Sequence, residues 1–270
     1  MVESNKEYEI RPSKLGSLNW IGFKSLWAKE CNRFITVWQQ TLLSPIVSSL
    51  LFLSVLSLAL GNDKADVLGH SFISFLAPGL IAMSILTQSF SHSVSSLMIS
   101  KIQGNIVDML YAPLSALEVT MAIVLAALTR SFLIAIISIG VFSLIVELPI
   151  NNILFIFIFG FLSAFILGSL GFITGLWAEK FDHTATVTNF VITPLSFLSG
   201  VFYSIKKLPE FFQAISHINP FFYMIDGFRY GFLGESDGSI SIGLIYLIIL
   251  SIIMWYVAFY LYKKGYKIKS

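Results

Sequence analysis

Three groups of residues could do chemistry in this chain, and each would do it by recognition rather than by breaking bonds. Asp226 and Arg229 lie three apart in Pro220-Phe-Phe-Tyr-Met-Ile-Asp-Gly-Phe-Arg-Tyr-Gly-Phe-Leu-Gly234. At that helical spacing a carboxylate and a guanidinium can pair. Ser84, Gln88, Ser91 and Ser95 recur at helical spacing in an apolar stretch. In lipid such a stripe must face protein or water, and it reads either as ordinary small-residue packing or as the wall of a polar route. Arg130 stands deep in another apolar run. A charge there is costly on the lipid face, so it must turn towards the bundle or a water-filled space. Pairing with a carbonyl or an acid is the reading to expect ahead of direct substrate contact.

No catalytic set accompanies these groups. His70, His92, His183 and His217 are scattered without metal-ligand spacing. The one cysteine, Cys31, excludes an intrachain disulfide framework. No G-x-x-x-x-G-K-[ST] occurs, so the chain does not bind ATP through a P-loop. The apolar runs hold almost no acids, which argues against a proton relay and so against a proton-coupled carrier. No internal inverted repeat of the kind seen in many secondary carriers is evident.

The elements that position these residues follow from composition. Hydrophobic residues make up 56% of the 270 and charged residues 12%. Soluble domains carry about 45–50% and about 25%, and the mean hydropathy here is +0.82. A net charge of +2 gives no footing for nucleic acid. The polar first 18 residues lack the apolar core of a secretory signal. The expectation is an all-α membrane protein, a single domain over 1–270. Six apolar runs are long enough for spans. They are 37–60, 71–100, 117–146, 153–176, 184–203 and 242–262, the fifth being weakest because Pro194 and Gly200 interrupt it.

With six spans both termini share one side. That side carries Lys6, Arg11, Lys14, Lys24, Lys29, Arg33, Lys101, Lys180, Lys263, Lys264, Lys267 and Lys269. The other carries Lys64, Lys206, Lys207 and Arg229. Twelve against four is a positive-inside bias, which predicts cytoplasmic termini. Ahead of the first span, Trp20, Phe23, Trp27, Cys31, Phe34 and Trp38 share a helical face opposite Lys29, Asn32, Arg33 and Thr36. That pattern predicts an interfacial helix over 19–36 lying in the headgroup plane.

Two further segments stand out. In the link 101–112, Ile102, Ile106, Met109 and Leu110 make a short apolar face, Pro113 ends any helix, and Ser115 with Glu118 form a capping box. A short cytoplasmic helix over 106–111 is expected, a knob on which a partner could dock. In 207–234, Pro209 is placed to open one short helix, and Asn219 with Pro220 a second. Gly227 and Gly231 form a G-x-x-x-G that permits close packing. Neither helix is long enough to span, so the pair is expected to dip in from the outer side as a re-entrant lid. Irregular backbone at membrane depth is tolerated only inside protein or along a cavity.

Four passages carry a resemblance. They are Lys24-Ser-Leu-Trp-Ala-Lys-Glu30 with Arg33-Phe34, Phe75-Leu-Ala-Pro-Gly-Leu80, Leu110-Tyr-Ala-Pro-Leu-Ser115, and the sentence from Pro194-Leu-Ser-Phe-Leu-Ser-Gly-Val-Phe-Tyr203 to Gly234. Over nearly its whole length the chain resembles the membrane permease subunit of ABC-2 type ABC transporters, in particular the YadH-like inner-membrane permeases of bacteria. The resemblance implies two such chains, here identical, joined to two separate P-loop ATPase subunits that hold ATP and Mg, with no cofactor in this chain. It implies export across the bacterial inner membrane. It implies ATPase coupling through Lys24, Lys29, Glu30, Arg33, Ile106, Asp108, Met109, Leu110 and Tyr111. It implies an external lid that includes Pro209, Pro220, Asp226, Gly227, Arg229 and Gly231. The stripe residues and Arg130 are candidates for the translocation path. A stand-alone carrier or channel is the alternative, and nothing in the sequence selects a substrate.

Overall fold

The computed structural model describes residues 18–60 and 66–268. The polar segment 1–17, Lys64 and Lys269 lie outside the described residues.

Helix α1 (Trp20–Thr36) is opened by Asn19, whose side chain accepts the Gly22 N–H. It buries Leu26, Glu30, Cys31 and Phe34 against the bundle and leaves Trp20 and Trp27 exposed, as is Trp38 beyond it. The chain then passes through a π-helical turn at Gln39–Leu43 into α2 (Ser44–Leu60). A two-residue hairpin, β1 (Asp66–Val67) and β2 (His70–Ser71), leads to α3 (Phe72–Ile102). The link helix α4 (Ile106–Tyr111) has the expected bounds. The expected capping box is present in full at the start of α5 (Ala116–Ser143), with Ser115 and Glu118 bonding reciprocally. Helix α6 (Ile153–Trp177) follows.

Five helical segments are long and apolar enough to cross a bilayer: Gln39–Ala59, α3, α5, α6, and α11 (Ile240–Lys263). The expected fifth span is not among them. Its helix runs through α7 (Phe181–Val187), a π-helical turn at Thr188–Ile192 and α8 (Thr193–Phe197), then breaks before Gly200. Gly200 has φ +75°, a left-handed conformation that glycine adopts without penalty. The two short helices after the break are α9 (Glu210–Ile218) and α10 (Pro220–Leu233). Asn219 caps α10 through the Phe221 N–H and Pro220 is its first residue, as expected. Pro209 stands directly before α9, at its cap, and the helix starts at Glu210.

Helix α3 is the axis of the bundle, packed on α5, α6 and α10. Its approach to α6 is close because α6 presents glycines there. A Cβ on Gly171 would lie 2.4 Å from the Phe90 carbonyl oxygen, and one on Gly175 2.9 Å from Leu97 Cβ. Small residues let helices meet where lipid gives no hydrophobic drive. Helix α2 is the opposite case: only 11% of its span is buried, against 72% for α3.

Candidate functional site

The predicted stripe on α3 is a seam between helices. Ser84 Oγ bonds the Leu80 carbonyl and meets Ser49 Oγ of α2 at 2.9 Å. Gln88 Oε1 accepts from Arg130 Nη2. Ser95 Oγ accepts from Arg33 Nη1 at 3.2 Å and donates to the His92 carbonyl. Ser91 is exposed. Two furrows flank this seam. One of about 350 Å³ runs between α2 and α3 and is bordered by Phe197 and Phe202. The other, about 320 Å³, lies between α3 and the helix of Phe181–Ile192. Thr87 and Gln88 line both.

Arg130, 7% exposed, finds its partners in the bundle, as its cost in lipid requires. Beside Gln88 it donates to the Thr41 carbonyl at 3.1 Å. Pro45, four residues on from Thr41, has no N–H to offer that carbonyl. The pairing is with carbonyl and amide oxygens, and no acid lies within ion-pair distance of Arg130 among the described residues.

The residues proposed for coupling divide into two sets. Lys24, Lys29, Asp108, Leu110 and Tyr111 are exposed. Ile106 and Met109 turn inward and pack with Leu26 and Val119. Arg33 does not stand free on the polar outer face expected of α1, and Glu30, named with it for coupling, is not exposed. Glu30 is buried, with Arg33 Nε donating to it at 3.0 Å, and Arg33 also reaches Ser95 and the His92 carbonyl. Both therefore tie α1 to α3. A cleft of about 460 Å³ separates α1 from α4, with Lys29 and Asp108 on its rim and Leu26 and Met109 on its wall. The cleft is framed by Asn19, whose N–H donates to Glu118 Oε1 and whose Nδ2 donates to the Pro113 carbonyl at 3.0 Å. At the same end of the bundle Lys101 Nζ donates to the Leu176 and Ala178 carbonyls, capping the C-terminus of α6. Lys267 Nζ meets Glu179 at 2.8 Å. That bond holds the Glu179 carboxyl below its usual range and raises Lys267 above its own.

In the 207–234 segment the expected Asp226–Arg229 pair is not formed. The two carry charge on the same helix but point to different partners. Asp226 accepts from the backbone N–H of Asp237 and of Gly238, at 2.9 and 3.0 Å. Arg229 donates to the Phe75 carbonyl at 3.2 Å and to the Gly200 and Val201 carbonyls at 2.8 and 3.2 Å. Asp237 in turn accepts from Ser204 Oγ and the Ile205 N–H. The segment after the α8 break is thus held on two sides by groups from α10 and its following loop. The G-x-x-x-G does pack closely, on α6: a Cβ at Gly227 would lie 2.1 Å from Phe159, and one at Gly231 2.5 Å from Ile156.

Sequence reasoning passed over Asp237, which lies in the short polar run Glu235-Ser-Asp-Gly238 and looks like an ordinary turn. His92, set aside with the other scattered histidines, is fully buried with neither ring nitrogen hydrogen-bonded and its Nε2 3.7 Å from Glu30. The stripe of serines around His92 was the signal that could have drawn it in.

A bundle of membrane-length helices, with a broken helix held by short helices and a seam of polar side chains between them, is the architecture of a multi-helix membrane protein. The chain belongs to the ABC-2 type transporter family, whose model matches residues 22–233. It is 34% identical to the inner membrane transport permease YadH of Escherichia coli (strain K12), over 94% of this chain and 99% of that protein. It is 24% identical to nodulation protein J of Neorhizobium galegae, over 95% of this chain and 96% of that one. Against nodulation protein J of Rhizobium leguminosarum bv. trifolii the identity is 28%, over 82% and 83%.

Proposed function

We propose that this chain is the membrane-embedded half of an ATP-driven exporter of the bacterial inner membrane, working as a homodimer bound to two separate P-loop ATPase subunits that hold ATP and Mg. The observation that carries the reading is the cleft between α1 and α4 in a chain of this family. It joins exposed charge at Lys29 and Asp108 to an apolar wall, which suits a knob from a partner. The chain has no nucleotide motif of its own, so the energy source is external to it. The printed name of the Escherichia coli relative supports the inner membrane.

In this reading both termini are cytoplasmic and α1 lies at the inner surface. Phe181–Tyr203 completes a sixth, broken crossing, and α9 and α10 form a re-entrant lid at the outer side. The bare face of α2 is where a second copy or lipid would sit, with the seam on α3 beside the route. The test is co-purification of the tagged chain with its ATPase from the native membrane, followed by reconstitution. In inverted vesicles, whose cytoplasmic face and ATPase subunits lie outside, ATP-dependent uptake of substrate from the medium into the lumen is expected, and it should be lost in an ATPase mutant. Transport by the purified chain alone, without ATP or partner, would overturn the reading.

A further inference from the structure

The two buried arginines of this bundle are satisfied very differently. A guanidinium has five N–H donors and no acceptor. Arg229 uses both Nε and Nη2 on three carbonyls and lies over the Phe75 ring at 3.8 Å. Its Nε, the donor nearest the backbone, has a carbonyl partner. Arg130 makes its bonds through Nη2 alone, and its Nε is buried with no partner. A buried cation without an acid, and with donors to spare, is an incomplete site.

Its position says what would complete it. One of its two acceptors, Gln88, is part of the wall shared by both furrows. The charge of Arg130 therefore sits one hydrogen bond behind the surface of the proposed route, in surroundings where little solvent screens it. The α2–α3 furrow is lined near Gln88 by hydroxyls of Ser84 and Thr87, and elsewhere by Phe52, Phe197 and Phe202. A polar floor beside aromatic walls matches a ligand with a polar head and an apolar body.

We propose that Arg130 is an anion-recognising residue of the route, and that the ligand class is an amphiphile with a phosphate or carboxylate head. The head takes the place of the Gln88 amide on the guanidinium, a charge-assisted bond stronger than the neutral one it replaces. The apolar body lies along Phe52, Phe197 and Phe202. The inference rests on the reading of the seam as part of the route, and it deepens that reading by naming the ligand class.

The test is equilibrium binding to the purified full chain in phosphatidylcholine nanodiscs, without ATP or partner. Dodecyl phosphate, dodecyl maltoside and dodecyltrimethylammonium share a tail and differ in head charge. Dodecyl phosphate should bind about tenfold more tightly than the other two. Arg130→Gln should abolish that preference, and Gln88→Ala, which uncovers the guanidinium, should enlarge it. Competition by inorganic phosphate at similar concentration would show that a free anion suffices and would overturn the amphiphile class. Its failure to compete supports an amphiphile. Equal binding of the three amphiphiles, or an unchanged preference in Arg130→Gln, would overturn the proposal. Should Arg130→Gln fail to fold, an unchanged preference in Gln88→Ala would overturn it instead. Because binding needs neither ATP nor ATPase, failure here leaves the ATP-driven reading standing, and failure of co-purification leaves this site standing.

Discussion

The guanidinium of Arg229 lies 3.8 Å above the ring of Phe75, and its Nε donates to the carbonyl of that same residue. A single side chain of α10 thereby grips the first turn of α3 and, through Gly200 and Val201, the backbone just after α8. Three segments far apart in sequence converge on one cation that is 1% exposed.

Arg229→Leu should therefore destabilise the fold by about 2–5 kcal/mol, since buried carbonyls would lose their donor. Arg229→Lys should fall between, because an ammonium keeps the charge but not the planar fork. Thermal unfolding in detergent measures both. A leucine variant as stable as the parent would make the grip incidental.

Gly227→Ala should cost about 1–3 kcal/mol, as overpacking against a ring with no room to move does. The new Cβ would stand 2.1 Å from Phe159, which is fully buried. Gly227→Leu should separate α10 from α6 further and impair transport. Gly140→Ala in α5 is the control, with nothing within 4 Å of its Cβ. It should be neutral or stabilising by up to about 1 kcal/mol, from helix propensity. The reverse order of the two alanine variants would show that the α6–α10 contact is loose.

Asp226→Ala should loosen the loop of Ser236–Gly238 rather than strand Arg229. Its carboxylate is held by the Asp237 and Gly238 N–H groups, and Asp237 holds Ser204 and Ile205. Faster amide exchange is expected at Asp237, Gly238 and Ile205, with lower transport. Exchange confined to the neighbourhood of Phe75 would point back to a direct Asp226–Arg229 link.

The link helix should separate docking from packing. Leu110→Glu, Tyr111→Ala and Asp108→Lys alter exposed side chains and should lower stimulation of the partner ATPase at unchanged melting temperature. Met109→Glu instead puts a charge into the contact with Leu26 and should lower the melting temperature. Full stimulation in all three exposed variants would reduce α4 to a connector.

Topology can be read with single cysteines after Cys31 is replaced. Asn105→Cys and Asp182→Cys should be protected from an impermeant thiol reagent added outside, and Ile150→Cys and Glu235→Cys labelled. All four positions are exposed, so access to the reagent is decided by the membrane. Labelling at position 105 from outside would reverse the orientation.

Features set by nearest neighbours were legible in the residues alone. The Ser115–Glu118 box, the Asn219–Pro220 start of α10, the bounds of α4 and five of the six expected spans each depend on side chains within a few positions of one another. The need of Arg130 to face protein was legible too, because burying a charge in lipid is costly wherever the chain goes. Its partners were not: Thr41 and Gln88 come from other helices, and only packing brings them together. The same holds for the two charges of α10. Three-residue spacing makes an Asp226–Arg229 bond possible, but backbone groups at Phe75, Gly200, Asp237 and Gly238 lie closer to hand in the folded bundle. Glu30 and Met109 looked like surface residues by their place on short amphipathic helices, yet α3 and α5 cover them. Pro194 and Gly200 marked the fifth span as interrupted. Where its helix stops was decided by tertiary contacts, since Arg229 takes the Gly200 and Val201 carbonyls that a continuing helix would have used itself.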